Sequence, residues 1–324
     1  MLMKSSGLYD NRGKSGHASF SERDAAIPLP TGLLDARRLP DDDFMALWEA
    51  IILDRALKDR LLSQAVLNFT LRPRIHRSDL PLHGIILLVG EPGTGKTSLA
   101  RGLAARIAES LGNLGTFMYL EVEPHALASA SLEKSQKAVT ELLGSTIAEY
   151  AATQPLIVLL DEVETLTANR SKMSMEANPV DVHRATDAVL AQLDQLADKY
   201  PQLLFLATSN FPAAIDEAFL SRADLVVTIE LPGAEACKAI LMSTLEAVAA
   251  VFPHMKSIPS QPEFTKAVAL CQGLDGRRIR KLVATACTFS KETALDPNRL
   301  SAQDLMRAAE HAQQEAKAAQ RKHL

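Results

Sequence analysis

The residues whose spacing points most directly to chemistry form a glycine-rich stretch, Gly90-Glu91-Pro92-Gly93-Thr94-Gly95-Lys96-Thr97, followed by Ser98. The pattern G-x-x-x-x-G-K-[ST] is typical of a loop that surrounds a polyphosphate, because glycines bring no Cβ atom into the turn and leave the N–H groups free. The lysine of this pattern reaches the β- and γ-phosphates, and the next hydroxyl binds Mg²⁺. We therefore predict a nucleotide site at residues 90–98, with Lys96 on the phosphates and Thr97 on Mg²⁺.

Two acidic residues follow an apolar run further along the chain. The run Leu156-Ile157-Val158-Leu159-Leu160 predicts a buried strand, and Asp161 and Glu162 come directly after it. Residues at the end of such a strand face the edge of a parallel sheet where ligands bind. Asp161 is placed to hold the Mg²⁺ that bridges the phosphates, and Glu162 to orient the attacking water. The alternative, that the two acids only cap a turn, is less compatible with the glycine loop upstream.

Three polar residues extend this predicted catalytic set. Asn210 ends the next strand in the sequence Thr208-Ser209-Asn210, where its amide can reach the same water or the γ-phosphate. Arg222 precedes the fifth strand, a position from which an arginine finger can reach a neighbouring subunit's nucleotide. The alternative for Arg222 is a surface ion pair with Asp224, which would contribute little. Arg277 begins a helix in the last third of the chain and could fold back towards the γ-phosphate, although most arginines at helix starts are solvated.

The elements that must position these residues alternate between strands and helices. Apolar runs predict strands over residues 85–89, 116–122, 156–160, 203–207 and 225–229, with helices over 98–108, 132–150 and 182–197. This order predicts an α/β fold of the P-loop NTPase type, with a mostly parallel sheet flanked by helices.

Three regions are predicted along the chain. Residues 1–40, interrupted by Pro28, Pro30 and Pro40, are interpreted as a flexible tail, with a partner-binding arm as the alternative. Residues 41–231 form the large nucleotide-binding domain, which begins with one long helix or two over residues 41–71. Residues 232–324 form a small all-α domain, whose helices are predicted at 234–251, 263–271, 275–291 and 301–322.

Composition narrows the class of protein. The chain has 324 residues and a net charge of −4, which gives no support for a general nucleic-acid or membrane binder. Its three cysteines lie in apolar helical patterns, where buried thiols in a reducing compartment are expected. The sequence contains no apolar run of 18 residues and no signal-peptide pattern at its start, so we expect a cytoplasmic protein.

Together these motifs resemble the AAA+ ATPases and, more narrowly, the pachytene checkpoint protein 2 family of HORMA-domain remodelers. The resemblance covers about residues 41–320 and rests on the glycine loop extended to Leu99, Leu160-Asp161-Glu162-Val163-Glu164-Thr165-Leu166, residues 188–196, Thr208-Ser209-Asn210, Arg222-Ala223-Asp224 and residues 273–281. It implies ATP and Mg²⁺ as cofactors and a homo-hexameric ring. It also implies that Arg222 reaches the neighbour's nucleotide and that Arg277 acts as the sensor 2 arginine.

The resemblance is closer to bacterial members of the family. Eukaryotic members carry a folded N-terminal substrate-adaptor domain, which about 40 residues of tail cannot supply. Bacterial relatives sit with HORMA proteins and nucleotidyltransferases that make second messengers in anti-phage systems. The implied function is therefore ATP-driven remodelling of a HORMA-domain complex. The rival is an ATP-dependent loader or switch on DNA, for which only the basic stretch at residues 72–77 offers support.

The pore loop of the family corresponds to residues 128–133. The family has an aromatic pair near Ser131 and Leu132, whereas here Leu132 is the only bulky residue. Ser131 and Leu132 are therefore the predicted substrate contacts, with weaker or aliphatic grip. The alternative is that Leu132 only begins the core face of the next helix.

Overall fold

The computed structural model describes residues 29–123, 132–166 and 179–322, and the backbone alone of residues 132–136, 179–185 and 319–322. Six strands within these residues form one sheet: β1 (Leu33–Leu39), β2 (Ile85–Val89), β3 (Phe117–Val122), β4 (Leu156–Leu160), β5 (Leu203–Ser209) and β6 (Leu225–Thr228).

The strand order places three loops side by side. The order is β1-β3-β4-β5-β2-β6, and all neighbours are parallel except β1, which is antiparallel to β3. Because β5 lies between β4 and β2, the chain segments that follow these three strands meet at one carboxyl edge of the sheet. The predicted α/β class with a mostly parallel sheet is confirmed.

Helices cover both faces of the sheet and form the C-terminal region. In the described residues they are α1 (Asp42–Ala50), α2 (Arg55–Leu71), α3 (Lys96–Ser110), α4 (Leu132–Glu141), α5 (Ala148–Thr153), α6 (Pro179–Lys199), α7 (Glu217–Leu220), α8 (Ala234–Ala249), α9 (Pro262–Leu270), α10 (Gly276–Cys287), α11 (Lys291–Leu295) and α12 (Ala302–Lys322).

The apolar strands are buried on both faces, as a parallel sheet between two helical layers requires. All five residues of β2 are buried, and alternate residues lie in two different apolar cores. The first core contains Ile85, Leu87 and Val89, and the second core contains Ile86 and Leu88. The period of two along a strand separates the two layers. The sheet is thus a rigid support for the loops at its carboxyl edge.

The two leading helices are confirmed and pack on the second of these cores. Asp41 caps α1 by accepting the N–H of Phe44 at 3.0 Å, and Asp54 caps α2 at Ala56. Trp48 is buried in this core. The segment between α1 and α2 also contacts the C-terminal region, because its Ile52 packs against the apolar cluster there.

The C-terminal region has an apolar cluster of its own. It is built from α8, α9, α10 and α12 and includes the buried cysteines Cys237 and Cys271. Burial raises the pKa of both thiols, which keeps them protonated. The four predicted helices are present, and a 3₁₀ segment (Pro253–Ser260) and α11 are added to them.

The sequence prediction was wrong about residues 33–39. They form β1 rather than part of a flexible tail, and Pro30 and Pro40 lie on either side of this strand. The strand is an edge strand of mixed polarity, and Arg37 is held by Asp35 and Asp41 over the ring of Phe44. Such a strand lacks the continuous apolar run by which the other strands were found. Residues 1–28 of the predicted tail lie outside the described residues.

The helix predicted over residues 132–150 is also more complex. Its backbone runs from α4 through a π-helical segment (Leu142–Ile147) into α5. Val139, Leu142 and Ile147 are buried, which confirms the predicted apolar face there. Ser131 and the side chain of Leu132, the predicted pore contacts, lie outside the described residues.

Candidate functional site

A cavity of about 200 Å³ lies where the segments after β2, β4 and β5 meet. Almost all of its lining comes from the predicted motifs: Pro92, Gly93, Gly95, Lys96, Thr97, Ser98, Asp161, Glu162, Thr208, Asn210 and Arg277. The fold therefore brings predicted residues from four separate parts of the chain to one cavity.

The glycine loop fits closely between β2 and the helical region. Gly93 has a φ of +85°, and a Cβ atom there would lie 2.3 Å from Oδ1 of Asp275. Gly95 has a φ of +92° and is the N-cap of α3, so the loop leads directly into that helix. The α3 N-terminus and the loop N–H groups together make an anion-binding surface at the cavity.

Lys96 is folded against its own loop. It is 5% exposed, and its Nζ donates hydrogen bonds to the carbonyl oxygens of Gly90 and Glu91, both at 2.9 Å. Burial lowers the pKa of Lys96, while the charges of Glu164, Asp161 and Glu162 oppose that shift. A buried ammonium whose hydrogen bonds within the described residues go to neutral carbonyls is suited to bind an incoming anion.

Asp161 accepts hydrogen bonds from two threonines. The hydroxyl of Thr97 donates to its carboxylate at 2.9 and 3.2 Å, and the hydroxyl of Thr208 donates to Oδ1. Thr208 is 1% exposed, so the carboxylate is fixed from the sheet side. The adjacent hydroxyl of Thr97 and carboxylate of Asp161 are hard oxygen donors, the kind that Mg²⁺ prefers together with phosphate oxygens.

Glu162 is held in an uncommon backbone conformation. Its φ and ψ are both 50°, and it is the one non-glycine residue with positive φ among the described residues. Its N–H donates to Oγ1 of Thr208 at 3.1 Å, and its carbonyl accepts the N–H of Thr165 at 2.9 Å. The amide Nδ2 of Asn210 donates to Oε1 of Glu162 at 3.1 Å. These bonds direct the Glu162 carboxylate to the cavity beside Asn210.

Arg277 reaches the site from the helical region. It lines the cavity, and its backbone N–H donates to the carbonyl of Gly93 at 3.4 Å. A second contact links the same helix to the leading helices, because Arg280 donates to the carbonyl of Ala50 at 2.7 Å. The start of α10 therefore rests directly on the glycine loop.

Arg222 lies apart from the cavity residues and is bound within its own chain. Its Nε and one terminal nitrogen donate to the two oxygens of Asp194 at 3.0 and 2.7 Å, and its other terminal nitrogen donates to the carbonyl of Ala218 at 2.6 Å. Arg77 also donates to Asp194, at 2.9 Å. The hydrogen bonds from Arg222 and then Arg77 lower the pKa of Asp194 against the effect of burial.

The alternative pairing of Arg222 with Asp224 is wrong. The carboxylate of Asp224 instead accepts the backbone N–H groups of His83, Gly84 and Ile85 at 2.8, 2.7 and 3.1 Å, and so fixes the entry into β2.

Two of the three arginines in the basic stretch at residues 72–77 are bonded to protein groups. Arg72 donates to the carbonyls of Ala197, Tyr200 and Leu203, and burial lowers its pKa to about 10. Arg77 is paired with Asp194 and Asp198. In the described part of the chain, no helix is both long and apolar enough to cross a membrane.

Sequence reasoning missed three residues of these networks. Thr208 entered the prediction only as part of the sequence Thr208-Ser209-Asn210, although a hydroxyl two residues before Asn210 on a buried strand was a usable signal. Glu164 and Asp194 were seen only as parts of longer motifs. Asp194 lies 28 residues from Arg222, and no local spacing reveals that partner.

Comparison with known proteins places these features in a family. The model of the "ATPase family associated with various cellular activities (AAA)" matches residues 86–231. CD-NTase-associated protein 6 of Pseudomonas aeruginosa is 56% identical over 286 residues, which cover 88% of this chain and 94% of that protein. The pachytene checkpoint protein 2 homolog of Danio rerio is 31% identical over 298 residues, which cover 85% of this chain and 69% of that protein.

One solved structure has the same fold at lower identity. A chain of the E. coli MS115-1 HORMA:CdnC:Trip13 complex superposes with a TM-score of 0.68 at 17% identity, covering 86% of this chain and 95% of that chain.

Proposed function

The chain is an AAA ATPase that belongs to the family of CD-NTase-associated protein 6 and the pachytene checkpoint protein 2 homologs, and on this premise we propose that it remodels a HORMA-domain protein complex. The remodelling partially unfolds or disassembles the complex and so regulates bacterial anti-phage signalling by nucleotide second messengers. Two names support the partner: one relative is a CD-NTase-associated protein, and a chain of similar fold belongs to a HORMA:CdnC:Trip13 complex. We expect the protein to act in the cytoplasm.

The observation that carries ATP hydrolysis is the set of groups around the 200 Å³ cavity. Lys96 would exchange the carbonyls of Gly90 and Glu91 for the β- and γ-phosphates. Thr97 and Asp161 would hold Mg²⁺, which neutralises phosphate charge when bound. Glu162 would orient the water, whose oxygen bonds to the γ-phosphorus as the bond from that phosphorus to the bridging oxygen breaks. Its carboxylate is the acceptor for the water's proton.

The two arginines have different roles in this proposal. Arg277 would contact the γ-phosphate of its own subunit, since it already lines the cavity. Arg222 would act on the nucleotide of the neighbouring subunit in a homo-hexamer, and it would have to leave Asp194 to do so. ATP hydrolysis would move the pore loops, with Ser131 and Leu132 as the substrate contacts.

The central test is Glu162→Gln. We expect it to bind ATP with near-normal affinity and to lose turnover, because Lys96, Thr97 and Asp161 remain while the proton-accepting carboxylate is lost. Nucleotide binding and steady-state hydrolysis are measured on the same preparations, with the exposed Glu149→Gln as the control. Near-normal hydrolysis by Glu162→Gln would refute the assignment.

The subunit arrangement is tested by mixing Arg222→Ala with Glu162→Gln subunits. Removing a finger typically costs about 10³–10⁵ in rate. If Arg222 acts in trans, some mixed interfaces combine an intact finger with an intact Glu162, and activity partly returns. Absence of recovery over a range of ratios, with subunit exchange verified, would contradict a trans finger.

The partner class is tested by stimulation of the ATPase. We expect a HORMA-domain protein to stimulate hydrolysis and duplex DNA to leave it unchanged. The rival function, a DNA loader or switch, has less support, because Arg72 and Arg77 are bonded to protein groups and Arg74 is the exposed arginine of that stretch. Stimulation by DNA and not by HORMA proteins would reverse this preference.

A further inference from the structure

A third acidic residue stands in the turn that carries Asp161 and Glu162 and has no role in the proposed mechanism. Glu164 lies in the 3₁₀ segment Val163–Thr165, directly after β4. Its side chain points towards the segment that follows β5, which brings it into the hydrogen-bond network of the cavity.

Glu164 and Glu162 accept hydrogen bonds from the backbone nitrogen and the side-chain amide nitrogen of one asparagine. Oε1 of Glu164 accepts the backbone N–H of Asn210 at 3.0 Å, and Oε1 of Glu162 accepts Nδ2 of the same residue at 3.1 Å. The first bond fixes where the chain leaves β5, and the second fixes where the amide meets the proposed catalytic carboxylate. Because both acceptors belong to one turn, the relative position of Asn210 and Glu162 is set by that turn.

The second oxygen of Glu164 has no hydrogen-bond donor among the described residues, although it is buried. An unsatisfied buried acceptor destabilises a fold, so packing alone gives no reason for a second carboxylate oxygen at this position. The bond to Asn210 and the buried second oxygen connect Glu164 with the site rather than with the core.

We propose that Glu164 is a positioning residue for ATP hydrolysis, which fixes the backbone of Asn210 so that its amide meets the carboxylate of Glu162. This inference rests on the proposed role of Glu162. Without the bond from the Asn210 N–H to Glu164, the segment after Ser209 is free to shift, and displacements of about 1 Å near a reacting centre lower rates by about 10²-fold.

The test compares two substitutions of similar length. Glu164→Gln keeps an oxygen that accepts the Asn210 N–H, whereas Glu164→Met removes it. We expect Glu164→Met to lower kcat about 10²-fold with KM changed less than about threefold, and Glu164→Gln to retain kcat within about fivefold. Melting temperatures are measured for both, with the exposed Glu149→Met as the matched control.

A double substitution separates positioning from loss of stability. In an Asn210→Ala background, Glu164→Met should lower kcat little further, because the group through which it acts is gone. Independent losses, in which the two fold-reductions of kcat multiply, would overturn the proposal, as would a Glu164→Met enzyme with normal kcat. If Glu164→Met does not fold, Glu164→Gln decides: a loss of kcat of about 10²-fold or more would show that the acceptor is not the needed property.

Glu162→Gln, assayed in parallel, distinguishes this failure from failure of the proposed function. An active Glu162→Gln enzyme removes the premise itself. An inactive Glu162→Gln beside a fully active Glu164→Met leaves the proposed function in place and rejects the role of Glu164 alone.

Discussion

The ion pair between Arg222 and Asp194 lies within one chain, so it should stabilise the subunit before assembly. We expect a double-mutant cycle of Arg222→Ala and Asp194→Ala to give a coupling free energy of about 1–2 kcal/mol in the nucleotide-free, unassembled subunit. Two hydrogen bonds at 3.0 and 2.7 Å join the guanidinium to both carboxylate oxygens. Bonds to charged groups contribute about 1.5–3 kcal/mol when buried and exposed pairs about 0–1 kcal/mol, and the side chains here are 21% and 33% exposed.

The coupling should depend on pH in one direction. The pKa of Asp194 is lowered in the folded chain, first by the hydrogen bonds from Arg222. The stabilisation is therefore fully present above the unfolded carboxyl pKa of about 3.9, and it is lost as pH falls through the lower folded value. The coupling should be constant between about pH 8 and pH 5 and should decrease below about pH 4.

The assay is urea unfolding of the four variants at a concentration that keeps the subunit monomeric. The matched control is the cycle of Arg77 and Asp198, a pair at 2.6 Å whose carboxylate is 61% exposed, for which we expect less than about 0.5 kcal/mol. A coupling between Arg222 and Asp194 as small as the control, or one that grows as pH falls, would refute the reasoning. Arg222 would then be free in the unassembled subunit.

Three further predictions concern the cavity and the pore. Thr208→Val should lower kcat about 10- to 100-fold by removing the hydroxyl that fixes Asp161, and Thr208→Ser should retain most of it; equal kcat values for the two variants would contradict this role. Gly93→Ala should destabilise the fold by about 1–3 kcal/mol and weaken ATP binding, because the added Cβ meets Asp275. Adding Asp275→Ser should restore part of the stability and part of the ATP affinity, which unfolding and binding assays measure. Leu132→Ala should preserve basal ATP hydrolysis and melting temperature while substrate disassembly fails; early melting with poor hydrolysis in Leu132→Asp would instead support a core position.

The sequence predicted best those elements that depend on burial alone. Five consecutive apolar residues in β2 and β4 specify strands that are covered on both faces, and the structure has them at the predicted positions. The fixed order of glycine loop, acidic pair and asparagine then placed the cavity, because parallel strands deliver their ends to one edge.

The sequence predicted poorly those features that depend on pairing across the fold. β1 is held by its antiparallel register with β3 and by the contacts of Arg37, and neither produces a local pattern. The alternative ion pair of Arg222 was likewise expected with Asp224, two residues along the chain, whereas the structure gives the bond to Asp194 on α6. Long-range hydrogen bonds of polar side chains leave no periodicity by which to find them.

At Glu162, the left-handed backbone conformation lowers the stability of the fold, while the carboxylate is the group proposed for ATP hydrolysis. A glycine adopts φ and ψ of 50° without the steric cost that a glutamate bears, so Glu162→Gly removes strain of about 1 kcal/mol together with the carboxylate. A laboratory selection for heat resistance and a selection for ATP turnover should therefore favour different residues at position 162. Variants that gain thermal tolerance there would be expected to accumulate as inactive proteins, which makes this residue one to hold constant when the chain is engineered for robustness.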